Sequence, residues 1–241
     1  MRLSINFYCS SRIILPISYN YVIQSAIFHL LSKTFPNIHD VAPITRKRQF
    51  RPFVFSRLKS NSYQIKNGKI SFGSPVNLKI ASPNDQIIQI LANELLKTQE
   101  IKLNENSLVL NNLKITLPEP QTNSIVVKTL SPVTIHSTLT SSDGKKKTYY
   151  YSPNESDFSS QIKANLLRKS EAFGNQDRIS QNFGIKAITK PKHRTVNYKG
   201  FIIVAWDADF RISGEKELLK LALNWGLGAR NAQGFGMIAE M

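Results

Sequence analysis

The chain has 241 residues, 41% of them hydrophobic, and 32 Lys and Arg against 16 Asp and Glu give a net charge of +16. The apolar share is ample for a core, and Cys9, the lone cysteine, excludes a disulfide framework or a Cys/His zinc site. No apolar run is long enough to span a bilayer, and the N-terminus lacks a signal peptide's apolar stretch and cleavage site. The expectation is a cytoplasmic protein with no membrane contact, whose basic surface meets a polyanion, nucleic acid first.

Residues 2–9 alternate apolar and polar positions, the period of a half-buried strand. Pro16 and Ser18 to Asn20 break it. Residues 20–35 predict a helix with Ile23, Ile27, Leu30, Leu31 and Thr34 on one face, stopped by Pro36. A loop over 36–48 ends in Arg46-Lys47-Arg48. Strands are expected at 50–58 and 62–66, with Asn67-Gly68 turning tightly into 69–73. Ser82-Pro83-Asn84-Asp85 reads as a helix start capped by Ser82, and the helix carries Ile87, Ile88, Leu91, Leu95 and Leu96. Strands at 101–103 and 107–116 complete a first unit, residues 1–117.

Pro118 to Asn123 reads as a linker, and the pattern then restarts over 124–241. Residues 124–136 are β-rich, and Asp143-Gly144 turns beside Lys145 to Lys147. Phe158, Ile162 and Leu166, four apart, mark a helix over 155–172. Strands at 183–190 and 199–207 are expected to flank a basic tip. Ser213 is expected to cap a last helix bearing Glu215, Glu217, Leu218, Leu219, Leu221, Ala222 and Trp225, which Gly226 ends before a strand at 235–240. The order is α+β: two successive β-α-β-β-α-β units, the ferredoxin-like pattern.

The densest signal is Gly226-Leu-Gly228-Ala-Arg-Asn-Ala-Gln-Gly234-Phe-Gly236, which holds four of the chain's 11 glycines. It lacks the Gly-Lys-Ser/Thr of a phosphate-binding P-loop, and it follows a helix where a dinucleotide fingerprint follows a strand. It is either a flexible connection or a loop whose backbone approaches phosphate closely, helped by Arg230, Asn231 and Gln233. The density of glycine and interleaved donors favours RNA contact.

This segment resembles the C-terminal glycine-rich loop of the CRISPR-associated endoribonucleases that cut repeat RNA, the sixth Cas family. Leu130-Ser-Pro132-Val resembles the start of that family's second ferredoxin-like unit, and Lys190-Pro-Lys-His193-Arg194 sits where the family has a basic hairpin. The N-terminal strand, helix and loop with His39 fit as well. The resemblance implies two tandem ferredoxin-like units with a C-terminal glycine-rich loop. It implies cleavage of precursor crRNA within each repeat, with no metal or other cofactor. The 2′-hydroxyl attacks in line and leaves a 2′,3′-cyclic phosphate and a 5′-hydroxyl.

That reaction needs a base, an acid and cations for the developing phosphorane charge. The resemblance places His39 at the catalytic position, with Lys47, Arg48 and Arg51 nearby in sequence. His29, on the flank of the first helix with Lys33 one turn on, is the rival. Where some members carry a tyrosine on that helix this chain has Phe28, which cannot transfer a proton. His136 reads as structural and His193 as an RNA-binding residue. Arg46, Arg48, Lys190, Lys192 and Arg194, with Gly226 to Gly236, are the expected RNA contacts. Lys145 to Lys147 read as a solvated loop. Tyr149 to Tyr151 and Phe53 with Phe55 read as core before base-stacking platforms. The expected partners are CRISPR repeat RNA and subunits of a CRISPR effector complex, the chain acting as monomer or homodimer. A catalytically inactive RNA-binding relative and a structural subunit of the effector complex are the alternatives.

Overall fold

The computed structural model describes residues 1–34, 44–45, 48–49, 51–140, 142–174 and 182–241. His39, Arg46 and Lys47 lie outside them, and of Arg48 only the backbone is described.

The two largest sheets of the described structure are antiparallel and share one topology. In the first, Arg2–Tyr8 lies between Val76–Ala81 and Asn106–Thr116, and Val54–Phe55 and Glu100–Leu103 extend the two sides. In the second, Ser124–Thr129 lies between Asp209–Gly214 and Ile238–Glu240, and Phe183–Ala187 is the outer strand. Leaving out the flanking Glu100–Leu103 and the short Lys59–Ser60, which also pairs with Val76–Ala81, both sheets run fourth, first, third, second, which is the ferredoxin-like order.

The third strand of each unit is not where the sequence pattern placed it. Val76–Ala81 and Asp209–Gly214 do that work, with registers Ile5↔Leu78 and Val127↔Phe210. The expected strands at 62–73 and 199–207 belong to hairpins outside these sheets. Asn67 and Gly68 turn the first hairpin at φ 50° and 70°. The expected basic tip at Lys190 to Arg194 is corrected too. Lys192–Tyr198 pairs with Phe201–Asp207, and the tip is Lys199-Gly200, at φ 51° and 84°. Two successive positive φ angles match the right-handed twist of a hairpin, so the turn forms there, and the basic residues stand at the hairpin's open end.

The four described helices are α1 (Asn20–Ser32), α2 (Asp85–Thr98), α3 (Ser156–Ala172) and α4 (Lys216–Trp225). Ile23, Ile27, Leu30 and Leu31 of α1 and Ile87, Ile88, Leu91 and Leu95 of α2 are buried over the first sheet. Phe158, Ile162 and Leu166 of α3 and Leu218, Leu219 and Ala222 of α4 cover the second. Two caps differ from expectation. Asn84 caps α2 by accepting from the Gln86 N–H, while Ser82 Oγ donates to the Pro52 carbonyl. Glu215, not Ser213, precedes α4, because Ser213 is committed to the strand before it. Leu96 and Thr34, expected on apolar faces, are exposed.

Candidate nucleic-acid interface

The glycine-rich segment lies where the two units meet. Gly226 caps α4 at φ 80°, a short 3-10 turn follows at Asn231–Gln233, and the chain enters the last strand. Three neighbours fix it. From the first unit, α1 presents Asn20 and Gln24 one turn apart. Asn20 Nδ2 donates to the Gln233 and Gly234 carbonyls at 2.9 and 3.2 Å, and Gln24 Nε2 to the Ala232 carbonyl at 2.7 Å. Ala232 completes the first unit's core. From within, Asn231 Nδ2 bridges the Leu227 and Phe235 carbonyls.

The third neighbour is α3. Lys169 is 1% exposed, and its Nζ donates to the carbonyls of Gly226 at 2.8 Å and Gly228 at 2.9 Å. No acid is among its contacts in the described structure. Burial, with the charge of Arg168 adding, pushes its ammonium down to about 7.

The glycines are required by these contacts. A Cβ on Gly228 would sit 2.3 Å from the Thr134 carbonyl oxygen, and one on Gly236 would sit 1.9 Å from that of Leu227. Both also hold positive φ. The close approaches visible at these positions are to the protein's own backbone.

Beside the loop opens a cavity of about 440 Å³ lined by Gln24, Arg51, His136, Asn165, Lys169, Trp225 and residues 228–233. Among the described residues no Asp or Glu lines it, whereas Arg51, Arg230, Lys169 and His136 all do. Arg51 is held by its backbone, whose carbonyl accepts from Trp225 Nε1 at 3.0 Å, and its guanidinium lies 5.0 Å from the Phe28 ring centre. Phe28 in turn meets Phe53 edge to face. Arg230, at φ 59°, reaches Gln233 Oε1 with Nη1.

The fold therefore brings Arg51, Arg230, Asn231, Gln233 and the glycine loop together. It does not bring His29 to them. At 100° per residue His29 is about 160° round α1 from the Asn20–Gln24 pair, and it lines a separate cavity of about 520 Å³ with Lys33, Glu100 and Lys102. Lys190, Lys192 and His193 are exposed at the open end of the second-unit hairpin. Arg194 donates to Asp207 at 2.7 Å, and Arg57 shares that carboxylate at 3.0 Å. Phe53 and Phe55 are buried, Tyr149 is exposed, and Lys145 pairs with Asp143. His136, expected to be structural, lines the cavity, and Asn165 and Lys169 were missed. A signal for both existed: they sit three residues beyond Ile162 and Leu166, polar groups on an apolar stripe. Among the described residues no group of three or more His, Cys, Asp or Glu could hold a metal, and no helix is long and apolar enough to cross a membrane.

Comparison with known proteins gives this arrangement a family. Residues 115–240 match the family described as CRISPR associated protein Cas6, C-terminal. The CRISPR-associated endoribonuclease Cas6 1 of Methanocaldococcus jannaschii is 28% identical over 248 residues, covering 100% of this chain and 93% of its own. The product of a Cas6-related gene from Pyrococcus furiosus superposes with a TM-score of 0.86 at 25% identity, over 100% of this chain and 98% of its own. A RAMP protein that binds different RNA substrates does so at 0.83 and 25%, over 100% and 99%. With two ferredoxin-like units, a C-terminal glycine loop locked between them and a family match across more than half its length, the chain belongs to the CRISPR-associated Cas6 family.

Proposed function

We propose that this Cas6 chain is a cytoplasmic, metal-independent endoribonuclease that binds CRISPR repeat RNA and cuts precursor crRNA once in each repeat. The observation that carries the reading is the cavity at the glycine loop, which presents the guanidinium groups of Arg51 and Arg230 without an acid among the described lining residues. An anionic backbone is the ligand that such a surface attracts.

The reaction is in-line attack by the 2′-hydroxyl upstream of the scissile phosphate, leaving a 2′,3′-cyclic phosphate and a 5′-hydroxyl. Arg51 with Lys47 balances charge developing on the phosphorane. Arg46, Arg48, Lys190, Lys192, His193, Arg230 and Gln233 hold the strand, against a wall shaped by Asn231 and the backbone of Gly226 to Gly236, while Arg194 stays paired with Asp207. A histidine suits the proton transfers because its pKa lies near neutrality. His39 takes that part, since His29 faces away from the loop that gathers the cations.

A second reading has its own support. Phe28 occupies the helix position beside Arg51, packed on Phe53, and offers no proton. A chain that binds repeat RNA without cutting it fits that feature. Incubation with repeat RNA separates the two. Cleavage that survives chelator and is abolished by a single 2′-deoxy substitution upstream of the cut supports the enzyme, whereas tight binding without product supports the second reading. Cleavage that stops with chelator and resumes with magnesium refutes the metal-independent chemistry.

A further inference from the structure

The cavity at the glycine loop contains two unmet hydrogen-bonding demands. Asn165, on the inward side of α3, is 7% exposed, and its Oδ1 is buried without a partner among the described residues. Arg230 Nε is likewise buried and unpaired among the described residues, although Nη1 of the same guanidinium reaches Gln233. Both residues line the same space of about 440 Å³. Buried polar atoms are nearly always satisfied, so two orphans facing one cavity mark a place that a ligand completes.

The two demands define that ligand's chemistry. Arg51 and Arg230 call for an anion. Asn165 calls for something an anion lacks, since phosphate offers acceptors only and cannot donate to Oδ1. A nucleobase edge carries donors and acceptors side by side, and it satisfies the amide whichever way round that amide lies. The cavity volume also falls within the range of small-ligand clefts, about 300–1,000 Å³.

We propose that this cavity receives one nucleotide of the bound RNA, turned out of the strand, its phosphate on Arg51 and Arg230 and its base edge on Asn165. The inference rests on the RNA-binding reading above and deepens it, making Asn165 a base-recognition residue. Lys169, one turn along α3, is committed to the loop, because two of its N–H groups are taken by the Gly226 and Gly228 carbonyls. It sets the wall of the cavity.

The test is an abasic scan of the repeat RNA, read by filter binding with the parent and with Asn165→Ala. In the parent, removing one particular base weakens binding roughly tenfold, the scale of a lost base contact. Asn165→Ala binds intact RNA about as weakly as the parent binds that abasic RNA, and it loses nothing further when the same base is removed. Its thermal midpoint stays level or rises, because truncation removes an unsatisfied buried atom. A merely structural asparagine gives the opposite pairing, lower stability with an unchanged abasic profile, and that result overturns the proposal. So does a parent scan with no sensitive position, a measurement that does not depend on the variant folding. Sulfate or an acidic peptide displacing RNA from the parent but not from Asn165→Ala also overturns it, since the cavity then serves another ligand. If the parent binds no repeat RNA at all, the functional reading itself fails; if it binds with an Asn165-independent profile, only this proposal does.

Discussion

Replacing Lys169 with methionine should flatten the pH dependence of stability between pH 7 and 9. Lys169 is buried, and its ammonium falls from 10.5 to about 7 on folding. Below pH 7 it is protonated in both folded and unfolded chains, so it adds no slope there. Between 7 and 10.5 the unfolded chain holds a proton that the folded chain has released, and raising the pH therefore favours the fold. Two pH units of that difference amount to about 3 kcal/mol gained by the parent from pH 7 to 9, at about 1.4 kcal/mol per unit. The absolute effect of Lys169→Met at neutral pH is smaller, because two terms oppose. Burial of an ammonium is relieved, but the Gly226 and Gly228 carbonyls lose their donor, at about 1–3 kcal/mol each. The slope isolates the first term. Urea unfolding of both proteins at pH 6, 7, 8 and 9, followed by tryptophan fluorescence, measures it. Groups common to both proteins, including the N-terminal amine, cancel in the difference. Parallel stability profiles for parent and variant would show that Lys169 keeps an ordinary pKa and would refute the reasoning.

The loop's glycines, the RNA contacts and the catalytic histidine each yield an expectation. Gly228→Val puts a Cβ 2.3 Å from the Thr134 carbonyl and forces valine to a φ of 68°, so a loss on the order of 3 kcal/mol is expected in calorimetry; an unchanged midpoint would mean that the loop is free to move. With Arg194 tied to Asp207, Arg46, Lys47, Arg48, Lys190, Lys192 and Arg230 remain as candidate contacts. Engagement of roughly four or five at about −0.7 each gives a slope of log K against log salt near −3, and a slope near zero counts against phosphate contact. His39→Ala should slow cleavage by roughly 10²–10⁴-fold with little loss of affinity, while His29→Ala leaves the rate near that of the parent; the reverse pattern would move the chemistry to the groove beside α1.

The sequence by itself determined what depends on local chemistry. The alternation over 2–9, the apolar spacing of α1 to α4, the Asn67-Gly68 turn and the stop at Gly226 are short-range effects, and each is legible in a window of a few residues. The repeated strand and helix order followed from them. Which strand becomes the third of each sheet did not. Val76–Ala81 and Asp209–Gly214 compete with neighbouring hairpins that carry stronger local signals, and only pairing with Arg2–Tyr8 and Ser124–Thr129 decides between them. The hairpin tip moved for a related reason, since backbone angles at Lys199-Gly200 outweigh a run of charge.

The site divides along the same line. Net charge and the glycine loop pointed to a polyanion, and the loop is where the fold gathers Arg51 and Arg230. Asn165 and Lys169 could be noticed as polar residues on an apolar stripe, but the carbonyls that hold Lys169 and the loop that shares a cavity with Asn165 are some 60 residues away in sequence. Gly68, Gly144, Gly174 and Gly200 have room for a Cβ, whereas in the C-terminal loop a Cβ does not fit. Only the fold says what stands in its place: at Gly228 it is the Thr134 carbonyl, at Gly236 that of Leu227, and at Gly234 the ring of Phe55. Contacts between residues distant along the chain have no local signature, so the tertiary structure alone decided them.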